Sequence, residues 1–168
     1  LREKFGAAFQ SDVIFAESIR DNISLGRPLT DEELLRAAED AMAADFIAEK
    51  PGGWDYGADI KGANFSGGQK QRLCIARALA AQPEILILDD AASALDYQTD
   101  ARLRQALRER YPGITTVIAA QRVSSIMAAS LILVLENGRI TGAGRHEELL
   151  ERCPVYRDIY QSQMGDLA

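Results

Sequence analysis

The sequence predicts an α/β fold in which a parallel sheet is joined to a mostly helical insert. Three observations predict it. Strands alternate with helices through the second half of the chain. The run "EILILDD" is apolar up to two adjacent carboxylates, as in a parallel strand covered on both faces. The first half reads as helices with one long loop.

In chain order, "AAFQSDVIF", Ala7 to Phe15, reads as a strand end running into a loop. "LTDEELLRAAEDAMAADFIAEK" reads as one helix: Thr30 and Glu33 have capping-box spacing, acids fill the first turn, and Leu34, Leu35, Ala38, Met42 and Phe46 recur at helical spacing. Pro51-Gly52-Gly53 stops it, and a glycine-spaced loop, "GGWDYGADIKGANF", follows. "SGGQKQRLCIARALAAQ" is a second helix, ending before Pro83, and "EILILDD" is the buried strand. A helix covers Gln98 to Arg110 and stops at "YPG"; "ITTVIAA" is another strand, with a short helix after it. "LILVLENGRITGAG" is a hairpin around Asn137-Gly138. Two last helices begin near His146 and Val155. The insert occupies about residues 18–82, and neither an internal repeat nor a low-complexity stretch is present.

The 168 residues suffice for one domain with a core, and 47% hydrophobic with 26% charged residues reads as a soluble globular protein. The net charge of -6 argues against general nucleic-acid binding, which wants a basic face. Cys74 and Cys153 are far apart and suggest neither a disulfide framework nor a metal site, so a reducing compartment fits. Apolar runs such as Leu131 to Leu135 are too short to span a bilayer, and no signal peptide is visible. The chain opens abruptly at Leu1, as a piece of something longer would.

Two stretches could carry chemistry. In open parallel sheets, ligands bind at the carboxyl ends of strands, where Asp89 and Asp90 stand. An aspartate there can hold Mg²⁺ for a nucleotide, and the next residue can orient a water. A purely structural reading has two acids marking a strand end. In "NFSGGQ", Ser66 and Gln69 have capping-box spacing, which alone would explain a helix start. Gly67 and Gly68 also leave first-turn N–H groups open to close approach, a ready anion site.

Taken in order, "FSGGQKQRLCIARAL", a short spacer, "ILILDD" and "SALD" resemble the nucleotide-binding domain of ABC transporters. Ser66 to Gln69 resembles that family's signature motif, with Phe65 where leucine is more usual, and Ile85 to Asp89 its Walker B strand. Ser93 to Asp96 matches the D-loop, and Gln10 fits the Q-loop glutamine. "SIRDNISLG" and "GRHEELLE" are similar to the export-type branch. The resemblance implies a P-loop NTPase (RecA-like) core, at 1–17 and 83–168, with a helical subdomain at 18–82. It implies two such domains closed head to tail around two ATP molecules. Ser66, Gly67, Gly68 and Gln69 would then face an ATP held by the partner, and Asp96 would be a further nucleotide-binding residue. Asp89 would serve Mg²⁺ at this chain's own site, with Gln10 reaching towards that metal and its water and linking insert to core.

The sequence departs from the family pattern at three places. Asp90 stands where the family has a glutamate acting as base or water-orienting group; it keeps the charge and is one methylene shorter. Gln121 stands at the switch position, where the family has histidine; it can hydrogen-bond a γ-phosphate but carries no charge. The sole histidine, His146, reads as a surface or capping residue. No G-x-x-x-x-G-K-[ST] occurs: Gly57 and Gly62 have the glycine spacing, but Ala63 and Asn64 follow. The family's phosphate loop would lie upstream of Leu1. Asp90 and Gln121 together resemble the degenerate half of a heterodimeric exporter, whose own ATP site is slow or non-hydrolytic.

The resemblance thus implies an ATPase, using ATP and Mg²⁺, that drives export. The piece alone would be inactive. Its partners would be a second, different nucleotide-binding domain and the transporter's transmembrane domain, not nucleic acid, at the cytoplasmic face of the plasma membrane. The rivals are a soluble ABC-type ATPase and a non-catalytic structural fragment.

Overall fold

Parallel strands must be joined by crossovers, and the long helical stretches between the apolar runs supply them here. A computed structural model of the protein describes residues 4–165. Contacts divide the chain into two units, Leu1–Ala119 and Ala120–Ala168.

In the first unit, strands β1 (Phe5–Phe9), β2 (Ile85–Asp89) and β3 (Thr115–Ala119) form a parallel sheet in the order β1-β2-β3. The register sets Phe5 beside Ile85 and Thr115, and Phe9 beside Asp89 and Ala119. The unit's helices are α1 (Ile19–Ser24), α2 (Asp31–Asp40), α3 (Ala44–Ala48), α4 (Gly67–Leu79) and α5 (Tyr97–Arg110). Ala8, Leu86 and Leu88 lie in one core with Leu73, Ile75 and Leu79 of α4 and with Leu103 and Leu107 of α5. The end of α4 comes so near β1 that a Cβ on Gly6 would lie 2.6 Å from the Ala78 carbonyl oxygen.

Two expectations change in this unit. The strand at Ile85 is not covered on both faces: Leu86 and Leu88 are buried, whereas Ile85 and Ile87 are half-buried. Their face of the sheet also carries Phe5, Phe9 and Val117, which are 39%, 49% and 53% exposed. The single helix expected over Leu29 to Lys50 is two. Helix α2 ends in a Schellman-type turn in which Met42 takes φ 58° and the Ala43 N–H donates to the Ala38 carbonyl, with the Met42 N–H on Glu39. Glycine usually fills that left-handed position, so nothing in "EDAMAAD" announces the break. A long-range partner supports it: the Arg72 guanidinium donates to the Met42 carbonyl at 2.8 Å.

The second unit holds a 3₁₀ turn at Val123–Ser125, where a short helix was expected, then a hairpin of β4 (Ile132–Glu136) and β5 (Arg139–Gly144). Asn137 and Gly138 both take positive φ, as the tight hairpin turn requires. Helices α6 (His146–Arg152) and α7 (Pro154–Gly165) follow. Val123, Ile132, Val134, Leu149, Cys153 and Tyr156 make this unit's core. His146 is a buried residue rather than a surface one, because its Nδ1 lies 2.8 Å from the Tyr156 hydroxyl and its ring packs edge-on against Tyr156 and Tyr160.

Candidate functional site

The carboxyl edge of the sheet gathers the first group of residues. Phe9 and Asp89 are paired in the ladder, so Gln10 and Asp90 are the next residues along two neighbouring strands. Gln10 is exposed in the turn that leaves β1, and Asp89 is exposed at the last position of β2. Asp90 extends the ladder by donating its N–H to the Ala119 carbonyl at 2.8 Å, and there it takes φ 49°. Aspartate tolerates this left-handed conformation better than most residues, at a cost of about 1–2 kcal/mol. The strain is held by Ser93, whose N–H and hydroxyl both donate to the Asp90 carbonyl, at 3.2 and 2.8 Å.

The segment that Gln10 opens is tied to α4 by residues that sequence reasoning passed over. Asn22, buried on α1, accepts from the Phe15 N–H at 2.9 Å and donates to the Phe15 carbonyl at 3.0 Å. Arg77 of α4 donates to the carbonyls of Asn22 and Val13, at 2.7 and 2.9 Å. The buried arginine is satisfied here by these main-chain oxygens and by the Asn22 Oδ1, to which it donates at 3.1 Å, and its guanidinium lies over the Phe15 ring.

The start of α4 gathers the second group. Ser66 is the N-cap: its hydroxyl oxygen accepts from the Gln69 N–H at 3.2 Å, and the Gln69 side chain accepts from the Ser66 N–H at 3.0 Å. The capping box is therefore formed, and it leaves the Ser66 hydroxyl proton to donate elsewhere. By position, the Gly67 and Gly68 N–H groups have no intrahelical acceptor. Phe65 fits its place because the ring is buried edge-on to Tyr56 and Phe46, with centroids 5.8 and 6.4 Å away.

The two groups meet through the loop after β2. A Cβ on Gly68 would lie 3.1 Å from the Ala94 carbonyl oxygen, tighter than ordinary packing, whereas one on Gly67 would lie 3.5 Å from the Ala94 Cβ. The contact is fastened by Gln71, a further residue that sequence reasoning missed. Its amide donates to the Ser93 hydroxyl at 3.0 Å and accepts from the Ala94 N–H at 2.8 Å. Since Ser93 in turn donates to Asp90, one chain of hydrogen bonds runs from the first turns of α4 to the strand end. The "Q-K-Q" spacing that sets Gln71 two residues after Gln69 was the only sequence signal for it. Asp96 caps α5, accepting from the Thr99 N–H at 2.9 Å and the Thr99 hydroxyl at 2.7 Å. Those two bonds, the backbone one first, hold its carboxyl below the usual carboxylate range.

Gln121 is exposed just after β3, in the second unit, and its carbonyl accepts from the Gln163 amide at 2.7 Å. Both cysteines are buried and unpaired, and burial pushes the Cys74 thiol up to about 11.

A doubly capped helix start lying against the carboxylate-bearing end of a parallel sheet is an arrangement suited to phosphate and metal chemistry. Residues 1–93 match the family described as ABC transporter. The chain belongs to that family. It is 46% identical over 99% of its length to the ABC transporter ATP-binding protein YknU of Bacillus subtilis, and covers 29% of that protein. It is 43% identical over 97% of its length to a protein of Staphylococcus aureus named as a multidrug export ATP-binding/permease protein, covering 28% of it. A solved bacterial Atm1-family ABC exporter with ATP bound superposes with a TM-score of 0.93 at 39% identity, over 96% of this chain and 29% of that one. The chain thus spans less than a third of the length of these relatives. Its mixed α/β fold with a parallel sheet is that of an ABC exporter nucleotide-binding domain, of the P-loop NTPase kind.

Proposed function

We propose that this chain is part of an ATP-binding domain of an ABC exporter, and that it lends its signature helix to a competent ATP site while its own site turns over slowly or not at all. The observation that carries this reading is the contrast within one structure. The start of α4 has its capping box formed and its glycines in place, whereas Asp90 stands where a longer glutamate would act.

In this reading Ser66 and the N–H groups of Gly67 and Gly68 donate to phosphate oxygens of an ATP held by a second nucleotide-binding domain, arranged head to tail and carried by a different chain. Gln69 holds the turn in shape, and Asp96 lies at the same interface. At this chain's own site Asp89 would hold Mg²⁺, with Gln10 beside it. The donor chemistry fits such an ion: the Asp89 carboxylate is exposed at the end of β2. Mg²⁺ takes few protein ligands and draws the rest from phosphate and water. When bound with nucleotide, it neutralises charge on the β- and γ-phosphates.

Asp90 retains a negative charge near the attacking water but lacks one methylene of reach, and a misplacement of about 1 Å can cost about a hundredfold in rate. Gln121 can donate to a γ-phosphate without supplying positive charge. Residues 18–82 act as the helical subdomain, and 1–17 with 83–168 as the core portion. No helix among the described residues is long and apolar enough to cross a membrane. In this reading the membrane part of the assembly is a transmembrane domain of the same transporter, and this chain works at the cytoplasmic face of the plasma membrane. Nucleic acid is not a partner in this reading.

The test is steady-state ATPase of the purified full-length transporter. Ser66→Ala or Gly67→Asp is expected to reduce turnover far more than Asp90→Ala does. An aspartate at 67 sets a carboxylate where a γ-phosphate approaches, while removing Asp90 takes away a group that contributes little. Loss of turnover in Asp90→Ala with active signature variants would overturn the degenerate-site reading.

A further inference from the structure

The segment that carries Gln121 is held from a distance by the last helix. Gln163, on α7, accepts from the Val123 N–H at 2.8 Å and donates to the Gln121 carbonyl at 2.7 Å. One planar amide thus satisfies a donor and an acceptor two residues apart, on either side of Arg122. The base of this clamp is packed in the core. Tyr156 on the same helix is 2% exposed, in the core that also contains Val123, and its hydroxyl meets His146.

We propose that Gln163 is a positioning residue for Gln121: it fixes the main chain from which the Gln121 amide discriminates a nucleoside triphosphate from a diphosphate. This rests on the reading of Gln121 as the switch position. The chemistry of residue 163 is restrictive. Glutamate would keep the bond from Val123 but oppose an acceptor to the Gln121 carbonyl. Lysine could donate but not accept, and asparagine is one methylene short. Arg122, the N-cap of the 3₁₀ turn, makes no side-chain capping bond, so the glutamine on α7 also acts as that turn's remote cap. Through this contact the placement of the switch residue depends on α7, with Gln163 42 positions further along the chain.

A purely structural cap would, when lost, weaken binding of both nucleotides alike; a positioning residue alters their ratio. The experiment is photolabelling of the full-length transporter with 8-azido-ATP and 8-azido-ADP, reading half-saturation on this subunit after separating it from its partner by gel. Gln121→Ala is expected to lower the preference for ATP over ADP by roughly fivefold or more, as loss of one bond to a charged group should. Gln163→Ala is expected to lower it comparably, and the double variant to go no lower than Gln121→Ala. Gln163→Glu, which keeps the Val123 bond and with it the fold of the turn, should show the same loss. The proposal is overturned if Gln163→Glu retains the parental preference, if Gln163→Ala weakens both nucleotides equally, or if the double variant falls by the product of the single effects. If Gln121→Ala leaves the preference unchanged, the switch reading itself has failed and this proposal fails with it.

Discussion

Gln71 is the side chain on which the geometry of the candidate site turns. Both ends of its amide are used, on the Ser93 hydroxyl and the Ala94 N–H, at a position only 9% exposed. Gln71→Leu would roughly keep the volume and strand the Ala94 N–H, while the Ser93 hydroxyl keeps its bond to the Asp90 carbonyl; a buried donor so stranded costs about 1–3 kcal/mol. Gln71→Glu still accepts from Ala94, and the Ser93 hydroxyl can turn to donate to the new carboxylate by giving up the Asp90 carbonyl. The expected order of thermal unfolding midpoints in the full-length protein is parent, then Glu, then Leu. Equal midpoints for parent and Leu variant would show that the clamp holds nothing. Gly68 is needed for packing, since the loop's main chain lies where a Cβ would go.

Helices α2 and α5 are joined end to end by a buried charge. Asp40 is fully buried at the carboxyl end of α2, where the helix dipole disfavours an acid. It is stable there because Arg110 bonds one carboxylate oxygen and the Tyr111 hydroxyl donates to the other at 2.7 Å. Burial, then the bond to Asp40, raises the Tyr111 phenol above its usual value, so it stays a donor through the physiological range. Tyr111→Phe removes only the hydroxyl and is expected to destabilise by about 1.5–3 kcal/mol, as for a bond to a charged group. A shift in the urea midpoint with unchanged slope would report this; an unchanged midpoint would mean that Arg110 suffices.

At the scale of the molecule, the sheet is covered unevenly. The α4 face is buried, whereas Phe5, Phe9 and Val117 lie exposed on the other, with β1 and β3 at the edges among the described residues. Expressed alone, these 168 residues are expected to self-associate through that face and those edges. Light scattering during dilution checks this, and a stable monomer that unfolds cooperatively would count against it. Substituting Val117→Lys on the exposed face should then raise solubility without lowering the unfolding midpoint.

Legibility in the sequence followed the range of the forces involved. Helix starts at Thr30 and Ser66, the hairpin at Asn137 and the apolar run of β2 depend on neighbours within a few residues, so their signals survive in a window of sequence. The ordered motifs around Ser66, Asp89 and Asp96 were legible for the same reason, and with them the family and the α/β class. The strand order, the uncovered sheet face and the break at Met42 were not, because each depends on what folds against the segment. The polar ties were least legible: Gln71 to Ala94, Arg77 to Asn22, Tyr111 to Asp40 and Gln163 to Val123 join residues 23, 55, 71 and 40 positions apart. An amide or a guanidinium has no periodicity to betray its partner. Only the packed chain, by removing water from around it, decides which distant carbonyl, hydroxyl or N–H must satisfy it.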